Sequence, residues 1–185
     1  MPETDEQLMV AFARGDAGAF DRLYARHKAT VFRFVARSLP SRADAEEIFQ
    51  EVWMKAIEAR ARYEPRAKFT TWLYAIAHNR LVDVWRRKGL ALVPLDGGDG
   101  EDGPAIDPPG DPADEPFAQV AGREAMARFA ATLEKLPPAQ REAFLMKEEA
   151  EMSIAEIAVA TGSNEEAVKS RVRYATAKLR EALDG

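Results

Sequence analysis

Residues 89–116 constrain the fold most, because their composition excludes a regular helix or strand. The stretch reads G-L-A-L-V-P-L-D-G-G-D-G-E-D-G-P-A-I-D-P-P-G-D-P-A-D-E-P and carries eight acidic residues but no basic one. Glycine and proline interrupt regular structure, and clustered acidic charge keeps a segment solvated. We therefore predict a flexible acidic linker over 89–116, with one small domain in residues 1–88 and another in residues 117–185. About 27 linker residues span roughly 90 Å when fully extended.

The linker also accounts for the negative net charge of the chain, which is −5. Residues 1–88 contain 16 Lys and Arg against 12 Asp and Glu, and residues 117–185 contain 10 against 11. Neither predicted domain is therefore strongly acidic. The overall charge does not exclude nucleic acid as a partner.

Both domains show helical periodicity, and neither shows the alternation of a half-buried strand. The expected fold class is all-α, with two small helical domains joined by the flexible acidic linker. The chain has no cysteine and no apolar run long enough to cross a bilayer, so we expect a cytoplasmic protein without disulfides or membrane contact of its own. His27 and His78 lie too far apart to indicate a zinc site. Without a phosphate-binding loop or a Ser-His-Asp pattern, we predict no metal, no cofactor and no enzyme activity.

Residues that cap helix N-termini mark several helix starts. In a capping box, a Ser or Thr side chain and a Glu or Gln three residues later satisfy the free amides of the first turn. Helix breaks are expected at Gly15–Asp16 and after Pro40, with a restart at Ser41. Capping boxes are predicted at Thr4 with Gln7, at Ser153 with Glu156, and at Ser163 with Glu166.

Residues 153–180 have the pattern of a helix-turn-helix. The last two capping boxes start helices ten residues apart, and Gly162 between them is suited to the left-handed conformation that turns the chain. Ala158 supplies the small side chain needed where two helices cross. The apolar residues expected to fix the crossing are Ile154, Ile157, Val168 and Val172. The C-terminal domain is therefore predicted to contain a helix-turn-helix, which makes DNA the leading candidate partner.

The second helix of this motif is basic beyond its first turn. Acidic residues occur only in that first turn, at Glu165 and Glu166, where they favour the helix dipole. Lys and Arg side chains further along suit phosphates and guanine edges. These basic residues are Lys169, Arg171, Arg173, Lys178 and Arg180. A packed helical hairpin with a solvated charged face remains the alternative for this segment.

The helix predicted over residues 44–58 carries an acidic stripe on one face. One face of this helix is apolar and carries Ala45, Ile48, Phe49, Val52 and Ala56. The other face carries Glu47, Gln50, Glu51, Met54 and Glu58 at helical spacing. An acidic stripe that contains a methionine resembles a docking surface for a basic protein, although an ordinary solvated face has the same pattern.

A basic loop, residues 62–68, precedes another helix predicted over residues 68–88. Its expected core side consists of Leu73, Ile76, Ala77, Leu81 and Val84. Trp72, Asn79 and Arg86 share the opposite stripe at intervals of seven residues. These groups suit base stacking, base-edge recognition and phosphate contact, so single-stranded DNA is the expected ligand. Alternatively, the preceding loop half-buries Trp72, and the basic residues 86–88 only complement the helix C-terminus.

Two motif sets in this order resemble one known family. D-A-E-E-I-F-Q-E-V-W and F-T-T-W-L-Y-A-I-A-H-N precede the linker, whereas L-P-P-A-Q-R-E-A-F-L, S-I-A-E-I-A and V-K-S-R-V-R-Y-A follow it. Over almost the whole chain, this arrangement resembles a bacterial RNA polymerase sigma factor of the extracytoplasmic-function group. The resemblance implies a subunit that binds core RNA polymerase and directs promoter-specific transcription initiation in a stress or envelope response.

The resemblance also implies roles for the first domain. In the family, the acidic helix docks onto the clamp helices of the largest polymerase subunit, and the matching residues here are Asp44, Glu47, Gln50 and Glu51. The following loop and helix open the minus-ten element and hold flipped single-stranded bases. The residues that match them are Tyr63, Arg66, Lys68, Trp72, His78, Asn79, Arg80, Arg86 and Arg87.

For the second domain, the resemblance implies contact with the double-stranded minus-thirty-five element. The recognition helix enters the major groove, and its candidate contacts are Lys169, Ser170, Arg171, Arg173, Tyr174 and Lys178. Further implied partners are the polymerase flap and an anti-sigma factor that clamps both domains. Many relatives carry an arginine at position 174 and an aromatic residue or a histidine at position 173, the reverse of the order here, so the promoter sequence cannot be copied from a relative. Ala75 also lies where a basic residue is frequent, which weakens one phosphate contact.

Two other functions are compatible with parts of the pattern. A stand-alone helix-turn-helix regulator would need a dimer interface to match a palindromic site. A helical adaptor would bind a protein through the acidic face and would not bind DNA. Binding to core polymerase distinguishes both from a sigma factor.

Overall fold

The computed structural model describes residues 1–90 and 116–184 of the chain. The linker predicted over 89–116 therefore lies almost wholly outside the described residues. Within the described ranges every regular element is a helix, which confirms the all-α fold class. None of these helices is long and apolar enough to cross a membrane. They are α1 Asp5–Ala13, α2 Ala17–Ser38, α3 Arg42–Ala59, a 3-10 turn Arg60–Arg62, α4 Phe69–Arg87, α5 Pro116–Lys135, α6 Pro138–Glu148, α7 Ile154–Thr161 and α8 Glu165–Asp184.

The N-terminal half, residues 1–90, is a bundle of α1 to α4 whose helix starts follow the local sequence. Thr4 and Gln7 form the predicted capping box at α1. The chain then turns at Gly15, whose φ is +107°, and the Asp16 side chain caps α2. The Ser41 side chain caps α3 by accepting a backbone hydrogen bond. The predicted break at Gly15–Asp16 and the restart at Ser41 are confirmed.

Helices α3 and α4 pack against each other and turn their predicted apolar faces inward. Phe49 and Ile76 are only partly buried, whereas the other members of the two faces are buried. Burial of one Val, Leu or Ile side chain of these faces stabilises the fold by about 1.5–3 kcal/mol. The predicted core faces are thus confirmed, and their burial directs the opposite sides of both helices outward. The buried members are Ala45, Ile48, Val52 and Ala56 of α3, and Leu73, Ala77, Leu81 and Val84 of α4.

The C-terminal half, residues 116–184, is built around α8, which packs against α5, α6 and α7. Ser153 and Glu156 form the predicted capping box at α7. Gly162 ends α7 in the left-handed conformation, with φ +63° and ψ +28°. Ile157 and Val168 are fully buried between the helices. The helix-turn-helix is therefore present as predicted.

The predicted capping box of Ser163 with Glu166 is wrong. Helix α8 begins at Glu165, and the Asn164 side chain accepts the Ala167 N–H at 2.8 Å. Asn is as favourable as Ser at a helix N-cap, so the helix starts one residue later at no cost. The hydroxyl of Ser163 is then free to accept a hydrogen bond from further along α8.

The two halves pack directly against each other. Helix α4 lies against α7, and α2 lies against α5 and α6. Buried apolar side chains from both halves form one continuous core cluster. In this structure the helix-turn-helix is therefore held beside the helix that carries Trp72.

Candidate nucleic-acid and protein interfaces

An aromatic cluster forms at the start of α4. The Trp72 ring lies 5.1 Å from the ring of Tyr63 and 5.9 Å from that of Phe69, measured between centroids. Tyr63 and Phe69 are buried, whereas Trp72 is only partly buried. The indole is therefore half-buried, as expected if the preceding loop covers part of Trp72, and the rest of it is exposed. A partly exposed aromatic ring that packs against other rings suits the stacking of a base.

The start of α4 is capped by a distant carboxylate. Lys68 is the N-cap residue and makes no side-chain cap hydrogen bond. Instead, Glu6 of α1 accepts the backbone N–H of Phe69 at 2.7 Å. A negative charge at a helix N-terminus also interacts favourably with the helix dipole. Glu6 therefore fixes the helix turn from which Trp72 projects.

Tyr63 belongs to this buried support and not to the open surface. Burial, followed by the nearby charges of Glu6 and Asp5, raises the pKa of Tyr63 to about 12. Its hydroxyl oxygen is buried and has no hydrogen-bond partner among the described residues. In this conformation the phenol packs edge-on against Trp72. Its contribution to the cluster is to hold the indole in place.

The polar residues predicted along α4 and in the loop before it differ in their exposure and in their ion-pair partners. Asn79, Arg86 and Arg87 are exposed. Arg80 donates to Asp83 at 2.7 Å and lies 3.9 Å from a Glu51 oxygen. Arg66, in the preceding loop, is 85% exposed and pairs with Glu64. Most of the basic groups in this region therefore face solvent.

Lys68 and His78 both contact the C-terminal half. The Lys68 ammonium lies 2.7 Å from a Glu156 carboxylate oxygen, and Nδ1 of His78 lies 2.7 Å from Oε1 of Glu142. The hydrogen bond and the charge of Glu156 raise the pKa of Lys68. The same bond, together with the Ser153 backbone, lowers the pKa of Glu156. These two members of the predicted minus-ten set therefore have carboxylate partners in this structure, and the Lys68 side chain is nevertheless 68% exposed.

The acidic face of α3 is only partly free. Glu47 and Gln50 are exposed, and Met54 beside them is 60% exposed. Asp44 forms an ion pair with Lys88 at the end of α4. Glu51 approaches Arg80, as described above. Glu58, at the end of the face, is exposed and pairs with Lys55. The open part of the face therefore combines two carboxylates, one amide and an apolar thioether.

The recognition helix α8 presents cations on an open surface. Lys169, Arg173 and Lys178 are exposed, whereas Ser170 and Tyr174 are partly buried. The Arg173 guanidinium lies 5.6 Å from the centroid of the Tyr174 ring. The lysines pair with acidic residues three positions away on the same helix, Glu166 at 2.8 Å and Glu181 at 3.1 Å. Such exposed pairs are weak, so the ammonium groups remain available to DNA phosphates.

Arg171 differs from the other basic residues of α8. Its Nη1 donates to the Ser163 hydroxyl at 2.8 Å, and its Nε is buried. The side chain therefore ties the recognition helix to the turn that precedes it. Its placement indicates that part of its contribution is to hold the helix-turn-helix geometry.

Among the described residues, no group of three or more His, Cys, Asp or Glu side chains could hold a metal ion. The candidate surfaces consist of aromatic, basic and acidic side chains. They are suited to binding nucleic acid and protein surfaces through stacking and charge.

Each half of the chain matches a known protein family. The description Sigma-70 region 2 matches residues 23–90, and Sigma-70, region 4 matches residues 126–179. The first match includes α3, α4 and the Trp72 cluster, and the second includes the helix-turn-helix. The chain belongs to the sigma-70 family of RNA polymerase sigma factors.

Similar proteins extend this assignment over the whole chain. The RNA polymerase sigma factor CnrH of Cupriavidus metallidurans is 33% identical over 99% of this chain and 96% of its own length. The ECF RNA polymerase sigma-E factor of Escherichia coli is 31% identical over 98% and 93%. The ECF RNA polymerase sigma factor SigM of Mycobacterium tuberculosis is 29% identical over 97% and 85%. This sigma factor therefore belongs to the extracytoplasmic-function (ECF) group.

Solved structures show the same fold. The structure of CnrH in complex with the cytosolic domain of CnrY has a TM-score of 0.70 and 26% identity, and the match covers 98% of both chains. The sigma factor RpoE of Bartonella quintana, in complex with the anti-sigma factor NepR, has a TM-score of 0.65 and 23% identity over 89% of this chain and 96% of that one. The fold expected from the resemblance is thus the observed one.

Several residues of these surfaces were not found by sequence reasoning. Glu6 caps α4 from 63 positions away, and it lies before the region 2 match. Glu142 and Glu156 contact α4 across the two halves of this sigma factor. No local sequence pattern predicts such contacts, because they depend on the packing of distant helices. The N-cap role of Asn164 could have been predicted from the sequence, since asparagine is strongly preferred at helix N-caps.

Proposed function

We propose that this sigma factor binds core RNA polymerase and directs it to specific promoters, with one DNA-reading surface in each half of the chain. The observation that supports this most strongly is the ordered pair of sigma-70 regions, each lying within one helical half. A stand-alone regulator would need only the helix-turn-helix. The presence of region 2 therefore favours a polymerase subunit.

The proposed polymerase-docking surface is the outer face of α3. Its residues are Asp44, Glu47, Gln50 and Glu51, and the basic partner surface is the clamp helices of the largest subunit. Glu47 and Gln50 are exposed and available, and the thioether of Met54 adds an apolar contact. Asp44 and Glu51 would exchange their bonds with α4 for bonds with the polymerase. Charge complementarity of this kind steers association and fixes orientation.

The proposed minus-ten surface is centred on Trp72. Promoter opening needs no bond chemistry, because a base that leaves the duplex loses a few kcal/mol of stacking and pairing. A site that binds only the extruded base offsets that loss. Trp72 supplies a stacking face, Asn79 supplies an amide for base edges, and Arg86 and Arg87 supply charge for the strand's phosphates. The other proposed members are Tyr63 as support, and Arg66, Lys68, His78 and Arg80.

The proposed minus-thirty-five surface is the exposed side of α8. Lys169 and Arg173 lie on its first two and a half turns, where a recognition helix reaches base edges. Lys178 lies further along, where the helix approaches phosphates. Ser170, Arg171 and Tyr174 complete the proposed set. Arg173 and Tyr174 stand in the reverse of the common order, so the base preference of this surface is its own.

The other proposed partners follow from the relatives. CnrH binds the cytosolic domain of CnrY, and RpoE of Bartonella quintana binds the anti-sigma factor NepR. We propose that an anti-sigma factor likewise controls this chain, and that the polymerase flap binds its C-terminal half. We further propose that the protein acts in the cytoplasm, where the polymerase is, and that it has no catalytic activity of its own.

The decisive experiment is reconstitution with sigma-free core polymerase from the same bacterium. Purified chain and core are mixed, binding is measured by gel filtration, and transcripts from genomic DNA are mapped at their 5′ ends. We expect a stable complex and a defined set of start sites absent from core alone. A chain that binds DNA but not core would be a stand-alone regulator. A chain that binds core but yields no defined start would contradict promoter recognition.

A further inference from the structure

Arg173 and Tyr174 form a contacting pair on the recognition helix α8. The Arg173 guanidinium lies 5.6 Å from the centroid of the Tyr174 ring. Arg173 is exposed, whereas Tyr174 is partly buried. A guanidinium within about 6 Å of an aromatic centroid is attracted by the negative charge of the ring face. The partly buried ring therefore restricts the orientations that the exposed guanidinium adopts.

The N–H donors of Arg173 have no acceptor in this structure. Among the residues that the structure describes, its side chain forms no hydrogen bond and no salt bridge. Glu166 lies two turns earlier on the same side of the helix, but its carboxylate is bound by Lys169 at 2.8 Å. The hydrogen bond and the charge of Lys169 lower the pKa of Glu166, and the charge of Arg173 contributes less. The donors of Arg173 are therefore available to an acceptor outside the chain.

The other arginines of α8 are less accessible than Arg173. Arg171 and Arg180 are only partly exposed. Arg171 donates from Nη1 to the Ser163 hydroxyl, and its Nε is buried. Within the described part of α8, Arg173 is thus the arginine that projects most freely. A planar guanidinium fork differs in use from the point charge of a lysine, because it donates two parallel hydrogen bonds.

Small side chains flank the pair on the same side of α8. At 100° per residue, Ser170 and Ala177 lie about 60° and 40° around the helix from Arg173, in the direction of Tyr174. Ser170 precedes the pair by one turn, and Ala177 follows it by one turn. Neither side chain is long enough to cover the guanidinium. The edge of a base in the major groove therefore has room to approach Arg173.

The base that best matches a guanidinium in the major groove is guanine. Guanine presents two acceptors side by side, N7 and O6, whereas adenine presents one acceptor beside a donor, and neither pyrimidine presents two acceptors. A phosphate also accepts hydrogen bonds from arginine but carries no sequence information. A side chain whose orientation is restricted in advance loses less conformational freedom when it binds. The ring of Tyr174 therefore favours the directional base contact.

We propose that Tyr174 positions the Arg173 guanidinium so that α8 reads one guanine in the minus-thirty-five element. Arg173 contacts the base, and Tyr174 acts through Arg173 as a positioning residue. The face of the ring carries this role, and the phenol hydroxyl is not needed for it. The inference rests on the proposed promoter-reading function of α8 and names the base that this part of the helix recognises.

The test is a sequence selection by holoenzyme assembled from core polymerase and the full chain. A promoter mapped with the unchanged chain is given a randomised minus-thirty-five element, and the bound templates are sequenced. The measured quantity at each base pair is the frequency of guanine relative to the other three bases. This ratio compares templates within one preparation, so a smaller folded fraction does not change it. If Tyr174→Leu yields no holoenzyme, Tyr174→Met takes its place.

We expect one base pair at which the unchanged chain prefers guanine by roughly tenfold. Arg173→Gln should abolish the preference for guanine at that base pair, because glutamine suits adenine instead. Tyr174→Leu should reduce the preference about two- to fivefold, the factor expected from one exposed cation–π contact. Tyr174→Phe keeps the ring face and should stay within about twofold of the unchanged chain.

Lys178→Ala is the control, because a lost phosphate contact weakens binding to all sequences alike and leaves the ratio unchanged. An unchanged guanine preference in Tyr174→Leu would overturn the positioning role. A change at a different base pair would also overturn it, since Tyr174 would then contact a base itself. Equal losses in Tyr174→Phe and Tyr174→Leu would contradict the role of the ring face.

Two further outcomes separate this inference from the proposed function. A guanine preference that survives Arg173→Gln would overturn the reading of guanine by Arg173, although the chain would still select promoters. Selection of no base at any position of the minus-thirty-five element would instead contradict the promoter-reading role of α8, and the inference would fall with it.

Discussion

Helices α4 and α8 are both proposed to read promoter DNA, yet the structure builds them differently. The α4 surface is a supported aromatic ring flanked by basic groups, two of which are bound to carboxylates of the other half. The α8 surface consists of exposed cations whose acidic neighbours lie on the same helix. Within the described residues, the first surface is partly covered and the second is open.

This difference matches the two forms of DNA that the helices are proposed to bind. Duplex DNA presents its base edges and phosphates without rearrangement, so an open basic helix suffices. An extruded base needs a stacking face whose position is fixed beforehand. The supports of Trp72, namely Tyr63, Phe69 and the Glu6 cap, supply that fixed position. We therefore expect α4 to depend on its neighbours and α8 to depend mainly on its own side chains.

Reversal of charge at Glu47 should have the largest effect and should disable both surfaces together. Like charges placed at a docking interface cost several kcal/mol, so Glu47→Arg should weaken core binding by about 100-fold or more. Initiation should fall equally at every promoter. The control is Glu46→Arg, which changes the same charge on a different side of α3, where Glu46 pairs with Arg42. Core binding is measured by fluorescence anisotropy, and equal losses in both variants would remove the docking assignment.

Removal of the Trp72 indole should impair the α4 surface and leave the α8 surface intact. Base stacking on an aromatic side chain is worth about 1–3 kcal/mol, so Trp72→Ala should reduce promoter opening about 10- to 100-fold. Trp72→Phe keeps an aromatic face and should recover much of this loss. Opening is followed by permanganate reactivity of unpaired thymines in the assembled complex. If Trp72→Ala weakens core binding as much as opening, the residue is structural and the contrast with α8 fails.

Removal of one exposed cation from α8 should have a smaller effect. A single base contact contributes about 1–2 kcal/mol, so Arg173→Ala should lower initiation about 5- to 30-fold at promoters with a minus-thirty-five element. Core binding should stay unchanged. Ser163→Ala provides a comparison, because it removes only the hydrogen bond to Arg171. A loss that persists on templates without the minus-thirty-five element would show that Arg173 does not act there.

Removal of the distant cap should give the smallest of these effects and should affect α4 alone. Loss of a helix N-cap costs about 1 kcal/mol, so Glu6→Ala should destabilise the chain by that amount in urea and slow promoter opening. Glu6→Gln keeps an acceptor for the Phe69 amide and should cost less than half as much. Binding of the minus-thirty-five element serves as the internal reference. Equal damage to both DNA-reading surfaces would contradict the local role of Glu6.

Local sequence signals predicted most of the helical framework. Thr4, Ser41 and Ser153 begin helices where their capping chemistry indicates, and Gly162 ends α7 with the expected positive φ. These features depend on residues within one turn of each other. The predicted cap at Ser163 is wrong because its neighbour Asn164 is an equally good N-cap residue, and local preference alone does not choose between them.

Contacts between distant helices were beyond sequence reasoning. The stripe of Trp72, Asn79 and Arg86 was visible from helical spacing, but the ring contact with Tyr63 and the cap from Glu6 were not. Likewise, the family resemblance assigned Lys68 to the minus-ten surface, whereas the structure pairs it with Glu156. Helical periodicity identifies which side chains share a face. It contains no information about which distant element covers that face.

The central claim, that each half of the chain reads its own promoter element as part of the polymerase, is tested most directly by one measurement. Transcripts are mapped for core polymerase assembled with the unchanged chain, with Trp72→Ala and with Arg173→Ala. We expect defined start sites with the unchanged chain, a general loss with Trp72→Ala, and a loss confined to promoters with a minus-thirty-five element with Arg173→Ala. Core polymerase that binds the unchanged chain yet yields no defined start sites would contradict the claim.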